Sequence, residues 1–163
     1  MNFEEYQTQI EKFCVYPNVG PRGIVYPILG LIGETDEFLS KYHANPMRQA
    51  DIYELGDMAF YIARCFSHLD FPIVSPAGYT AVPVMEFARF AMSLAEITKK
   101  IIRDNNEEKW VELEEALRVM YITWRNLCLL KAKATPESVM QANYDKLYDR
   151  MQRGVIKGDG DNR

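Results

Sequence analysis

No stretch of this chain sustains an alternation of apolar and polar residues, whereas six stretches repeat apolar residues every three or four positions. That repeat belongs to helices that bury one face, and without a period of two there is no strand to predict. The expected fold is all-α, a helical bundle of five to six helices with a four-helix core. The punctuation agrees. A first helix spans roughly Phe3 to Val15, and two prolines and two glycines break the chain between Tyr16 and Gly23. Pro27 can open a second helix in its first turn, where a missing N–H costs nothing, and that helix runs to about His43. Asn45-Pro46 reads as a cap and first turn for a third helix ending near Leu69. The longest loop follows, Phe71 to Pro83, then a fourth helix over Val84 to Asp104. Asp104, Asn105 and Asn106 turn the chain into a fifth helix. Thr135-Pro136 starts a sixth, which Gly154 ends.

At 163 residues the chain is most simply one domain, with a helical hairpin inserted at about 70–133. The net charge of −4 argues against a nucleic-acid partner, which would call for a basic stripe. No apolar run is long enough to span a membrane, and no basic segment leads into one at the N-terminus, so neither a membrane span nor a signal peptide is expected. Cys14, Cys65 and Cys128 are odd in number and widely spaced, which suits reduced thiols in or near the core of a cytoplasmic protein. The methionines, among them Met85, Met92, Met120, Met140 and Met151, read as core filler. Trp110 and Trp124 read as core too.

The chemistry concentrates in two short strings, GETDEF and ELGD. Each holds two acids three residues apart, Glu34 with Glu37 and Glu54 with Asp57. Residues at that spacing share a helix face, and a short connection packs the two helices as antiparallel neighbours. One such pair is ordinary solvated surface. Two pairs facing each other repel unless a cation sits among them, and hard carboxylate oxygens suit magnesium. Magnesium ions there would clamp a phosphoryl group and activate the attacking water.

Glu54, Asp57, Tyr61 and Arg64 form one stripe on the third helix. Gly30 and Gly33 each cost about 1 kcal/mol inside a helix, which either a close approach by another helix or a ligand beside Glu34 or a simple easing of helix packing would offset. On the sixth helix Asn143, Lys146, Arg150 and Arg153 make a polar-basic stripe suited to a polyphosphate. There is no E-x-x-H for a di-iron centre, no cysteine–histidine cluster for zinc, and no Walker A, GxGxxG or GxSxG string.

These residues resemble the MazG-like family of all-α nucleoside triphosphate pyrophosphohydrolases, whose signature is E-x-x-E, a gap, then E-x-x-D. The likeness covers about Tyr26 to Leu69 and Ala134 to Arg163, and the tail RGVIKGDGDNR is similar to the ends of phage-type members. The resemblance implies that Glu34, Glu37, Glu54 and Asp57 bind catalytic Mg2+, for which Mn2+ can substitute. It also implies that Tyr61, Asn143, Lys146, Arg150 and Arg153 contact the phosphates or nucleotide.

The implied activity is hydrolysis of a nucleoside triphosphate to monophosphate and pyrophosphate, by a homodimer or homotetramer with no nucleic-acid or membrane partner. Two departures stand out. Asp36 replaces a small residue of the first motif, and the 70–133 hairpin has no counterpart in compact members. A nucleotide-binding module without turnover and a structural helical protein are the alternative readings.

Overall fold

The structure is a computed structural model that describes residues 1–16, 21–42, 49–69 and 81–157. It contains six α-helices: α1 (Phe3–Ile10), α2 (Val25–Lys41), α3 (Gln49–Leu69), α4 (Val84–Asp104), α5 (Glu107–Asn126) and α6 (Pro136–Gln152). No strand occurs among the described residues. The fold is an all-α helical bundle, as the periodicity requires. Among the described residues no helix is long and apolar enough to cross a membrane.

Local chemistry explains most of the boundaries. Asn2 caps α1 in a reciprocal box with Glu5: each side chain takes the other residue's backbone N–H, both at 2.9 Å. The first helix is shorter than expected. It stops at Ile10 and tightens into a 3-10 turn over Glu11–Phe13 before Cys14 goes extended. A second 3-10 turn, Pro21–Ile24, feeds α2, so Pro27 sits inside the first turn rather than at its opening. That position still needs no N–H donor.

The Asn45-Pro46 start and most of the Phe71–Pro83 loop lie outside the described residues. Asn105 takes the left-handed conformation (φ 47°) that ends α4, and the Asn106 side chain accepts the Glu108 N–H to begin α5. Two asparagines thus make the whole α4–α5 turn. α5 widens into a π-helical segment over Leu127–Ala132, which Lys133 ends at φ 54°. Thr135 caps α6, and Gly154 (φ 71°) closes it.

α3 is the central element, packed against α1, α2, α5 and α6, while α4 lies on α2 and α5. All six helices contribute to one hydrophobic core, so the α4–α5 hairpin shares its interior with the rest. Trp124 shows how. Fully buried, its indole N–H donates to the Leu55 carbonyl at 2.8 Å, tying α5 to the middle of α3.

Cys65 and Cys128 are buried free thiols and Cys14 is half-buried. Trp110 is only partly buried against the core. The methionines divide. Met120 and Met140 are buried, but Met85 and Met92 are 74% and 69% exposed, so the core-filler expectation fails for these two. Both project from the face of α4 opposite the helix's own buried residues.

Candidate metal centre

α2 and α3 pack directly, and their facing sides bring three of the four motif acids together. One carboxylate oxygen each from Glu34, Glu54 and Asp57 lies within 4.8 Å of the other two. Glu54 is buried, and Glu34 and Asp57 are half-buried. Glu37 stands outside this group, with its side chain 59% exposed and its carboxylate 3.5 Å from Lys41 Nζ. Lys41 reaches across to Glu54 as well, at 2.6 Å. An ammonium therefore lies between the two acid pairs, a contact the sequence did not suggest beyond placing Lys41 one turn below Glu37.

α6 closes the other side. Asn143 Nδ2 donates to Asp57 Oδ1 at 2.7 Å, and Lys146 Nζ to Asp57 Oδ2 at 2.5 Å. Asn143 is itself buried and accepts the Tyr6 hydroxyl at 2.6 Å. A continuous path thus runs from α1 through Asn143 to Asp57, fixing the amide with its oxygen toward Tyr6 and its nitrogen toward the carboxylate. Tyr6 was missed by the motif reading, because its partner lies 137 residues away.

Gly56 was missed too, although a glycine between Leu55 and Asp57 inside a helix is a signal of close approach. A β-carbon there would lie 3.0 Å from Asn143 Cβ, so Gly56 is what lets α6 come close to α3.

The other expected residues scatter. Tyr61 is half-buried beside the cluster, its ring lying across Gly30. Gly33 faces open space, so a close approach holds for Gly30 and not for Gly33. Arg150 continues the α6 stripe but is buried, and Arg153 is surface-exposed and paired with Asp149 at 2.8 Å.

Arg64 leaves the acidic stripe. Wholly buried, it turns toward α1, where it bonds Glu11, and its Nε donates to the Tyr16 hydroxyl at 3.1 Å. The fourth position of a stripe spaced 54, 57, 61, 64 has rotated far enough to meet a different neighbour.

Electrostatics follow from crowding. Burial first, then the carboxylates of Asp57, Glu37 and Glu54, push the Glu34 carboxyl up to about 8. Burial also raises Glu54, against the opposing pull of Lys41. Burial is the main cause again at Tyr61, whose hydroxyl is raised further by Tyr26 and Glu34. Three converging carboxylates that cannot all ionise comfortably are a donor set that a hard divalent cation would relieve. No protein-family model, curated protein or solved structure matches the chain.

Proposed function

We propose that this protein is a magnesium-dependent hydrolase that converts a nucleoside triphosphate, with preference for a deoxynucleotide, to the monophosphate and pyrophosphate. The observation that carries this reading is the convergence of Glu34, Glu54 and Asp57 with the Lys146 ammonium already against Asp57. The E-x-x-E and E-x-x-D spacing and its resemblance to the MazG-like family supply the substrate class.

Glu34, Glu54 and Asp57 hold the ion. Glu37, one turn along α2 from Glu34, joins them when Lys41 yields. Magnesium, or manganese in its place, neutralises phosphate charge and lowers the pKa of the attacking water. Water adds to phosphorus and the bridging P–O bond breaks, leaving monophosphate and pyrophosphate.

Lys146 turns from Asp57 to the polyphosphate. Tyr61 donates its hydroxyl to a phosphate oxygen, which its raised pKa permits at any ordinary pH. Asn143 holds Asp57 in place through its own bond to Tyr6. Arg150 and Arg153 extend the basic stripe toward the distal phosphates.

The test is product analysis with magnesium and a panel of ribo- and deoxynucleoside triphosphates, running Glu54→Gln and Glu37→Ala alongside. Monophosphate plus pyrophosphate from the wild type, lost in Glu54→Gln with helicity intact, is the expected result. Glu37→Ala is expected to abolish turnover as well. Nucleotide bound without turnover would reduce the site to recognition, and no binding of either metal or nucleotide would reject it.

A further inference from the structure

The stripe that carries Glu34 continues toward the start of α2. Tyr26, Gly30 and Glu34 recur every four residues and so share one face of the helix. Eight residues set Tyr26 about 12 Å from Glu34 along the axis. Tyr61 of α3 lies between them, its ring across Gly30 and its centre 6.2 Å from that of the Tyr26 ring. Tyr26 in turn stacks on Tyr16, with ring centres 4.2 Å apart and an interplanar angle of 17°. A chain of three tyrosine rings thus leads away from the acidic cluster. Its far end is anchored: the Tyr16 hydroxyl accepts the Arg64 Nε–H at 3.1 Å, and Glu11 holds the same guanidinium.

We infer that Tyr26 is the platform on which the base of the nucleoside triphosphate stacks, with Tyr16 and Arg64 as its backing. The inference rests on the hydrolase reading above and supplies a contact for the base, which that reading leaves open. Tyr26 is 46% exposed although a parallel ring takes one of its faces, so solvent reaches the other face and the edge. An open ring face on the same stripe as a metal ligand is what base stacking needs, since every base has a π-face of its own. With the phosphates at Glu34, Glu54 and Asp57, the sugar crosses Tyr61 and the base reaches Tyr26.

Arg64 gains a role in this arrangement. Wholly buried and bonded on both sides, it touches no phosphate but fixes Tyr16, and Tyr16 fixes the plane of Tyr26. A platform held in place before the ligand arrives loses little freedom on binding. Tyr53 is the rival, an exposed tyrosine on α3 beside the same site, 43% exposed. Its ring is met by the Lys146 ammonium, 5.8 Å from the ring centre, and the phosphates draw that ammonium away. The ring contacts of Tyr26 stay as they are when substrate binds, which favours Tyr26.

Isothermal titration on the full chain with magnesium tests this, with circular dichroism confirming that each variant folds. The probes are the α,β-methylene analogues of the deoxynucleoside triphosphates, which resist cleavage at that bond, and inorganic tripolyphosphate, which has no base. In the wild type the best analogue should bind about tenfold or more tighter than tripolyphosphate. Tyr26→Ala should remove that advantage and leave tripolyphosphate affinity unchanged, and Tyr26→Phe should keep it. In Tyr26→Trp the analogue should quench the added indole emission, and tripolyphosphate should not. Equal affinity of the wild type for both kinds of probe overturns the inference, as does an advantage that survives Tyr26→Ala or that Tyr53→Ala removes instead. Equal weakening of both probes in Tyr26→Ala also overturns it, since Tyr26 would then only support Tyr61. Tripolyphosphate reports on the metal centre alone. If it binds and the base adds nothing, only the platform fails; if neither probe binds, the hydrolase reading fails with it.

Discussion

The ring of Tyr61 lies across Gly30, in the space that a β-carbon on residue 30 would occupy. α2 and α3 are joined there by an aromatic side chain set flat on bare helix backbone, one turn from both Glu34 and Asp57. Gly30 therefore positions Tyr61, and Tyr61 forms one wall of the acidic cluster.

Substituting Gly30→Ala should remove that wall. The methyl group gains about 1 kcal/mol of helix propensity, but displacing the ring costs about 1–3 kcal/mol. Chemical denaturation should show a net loss in the wild-type background and a gain in a Tyr61→Ala background. Equal effects in both would mean the two residues are not coupled. For turnover, Gly30→Ala should raise KM, since Tyr61 no longer faces the phosphates.

Metal binding should depend on pH through Glu34. Its carboxyl sits at about 8 rather than the ordinary 4.5, so near neutrality the metal-free protein holds a proton there that the ion must expel. Magnesium affinity should rise about tenfold per pH unit below 8 and level off above it, with proton release visible by calorimetry in buffers of different ionisation enthalpy. The stability effect has a definite sign. A folded-state pKa raised above the unfolded one contributes stability fully below about 4.5, and that contribution is lost as pH rises through 8. Magnesium should therefore raise the melting temperature more at pH 8.5 than at pH 6. A pH-independent magnesium shift would remove Glu34 from the ligand set.

Lys41 competes with a cation for Glu54, its ammonium 2.6 Å from the buried carboxylate. Lys41→Met keeps the aliphatic stem and removes the charge. It should tighten magnesium binding by a factor on the order of ten, read by isothermal titration. It should also lower the stability of the metal-free protein, because Glu54 is then buried without its partner. Weaker metal binding would instead make Lys41 part of what holds the site together.

Lys146→Ala removes the ammonium on Asp57 and the proposed phosphate contact together. Steady-state kinetics should show KM rising more than kcat falls, the pattern for uniform binding lost. Asn143→Ala should behave differently. It leaves Asp57 and the Tyr6 hydroxyl without their shared partner inside the fold, so its main cost is stability, about 1–3 kcal/mol.

Much of the architecture was legible from one dimension. Six apolar repeats, Asn105-Asn106, Thr135-Pro136 and Gly154 specify helices and their ends, because propensity and capping act within a few residues along the chain. The same locality made the two acid pairs visible, since spacing alone puts Glu34 with Glu37 and Glu54 with Asp57 on shared faces.

What spacing could not decide is how each helix is rotated about its axis, which depends on what packs against it. Packing left Glu37 beside Lys41 outside the three-acid cluster, turned Arg64 inward to Glu11 and Tyr16, and left Met85 and Met92 in solvent. It also brought Tyr6 to Asn143 and Asn143 onto Gly56, contacts between residues far apart in sequence. Helix content is a sum of local preferences, whereas a site is a property of side chains from several helices meeting at a point. Only the tertiary structure chooses which members of a stripe meet.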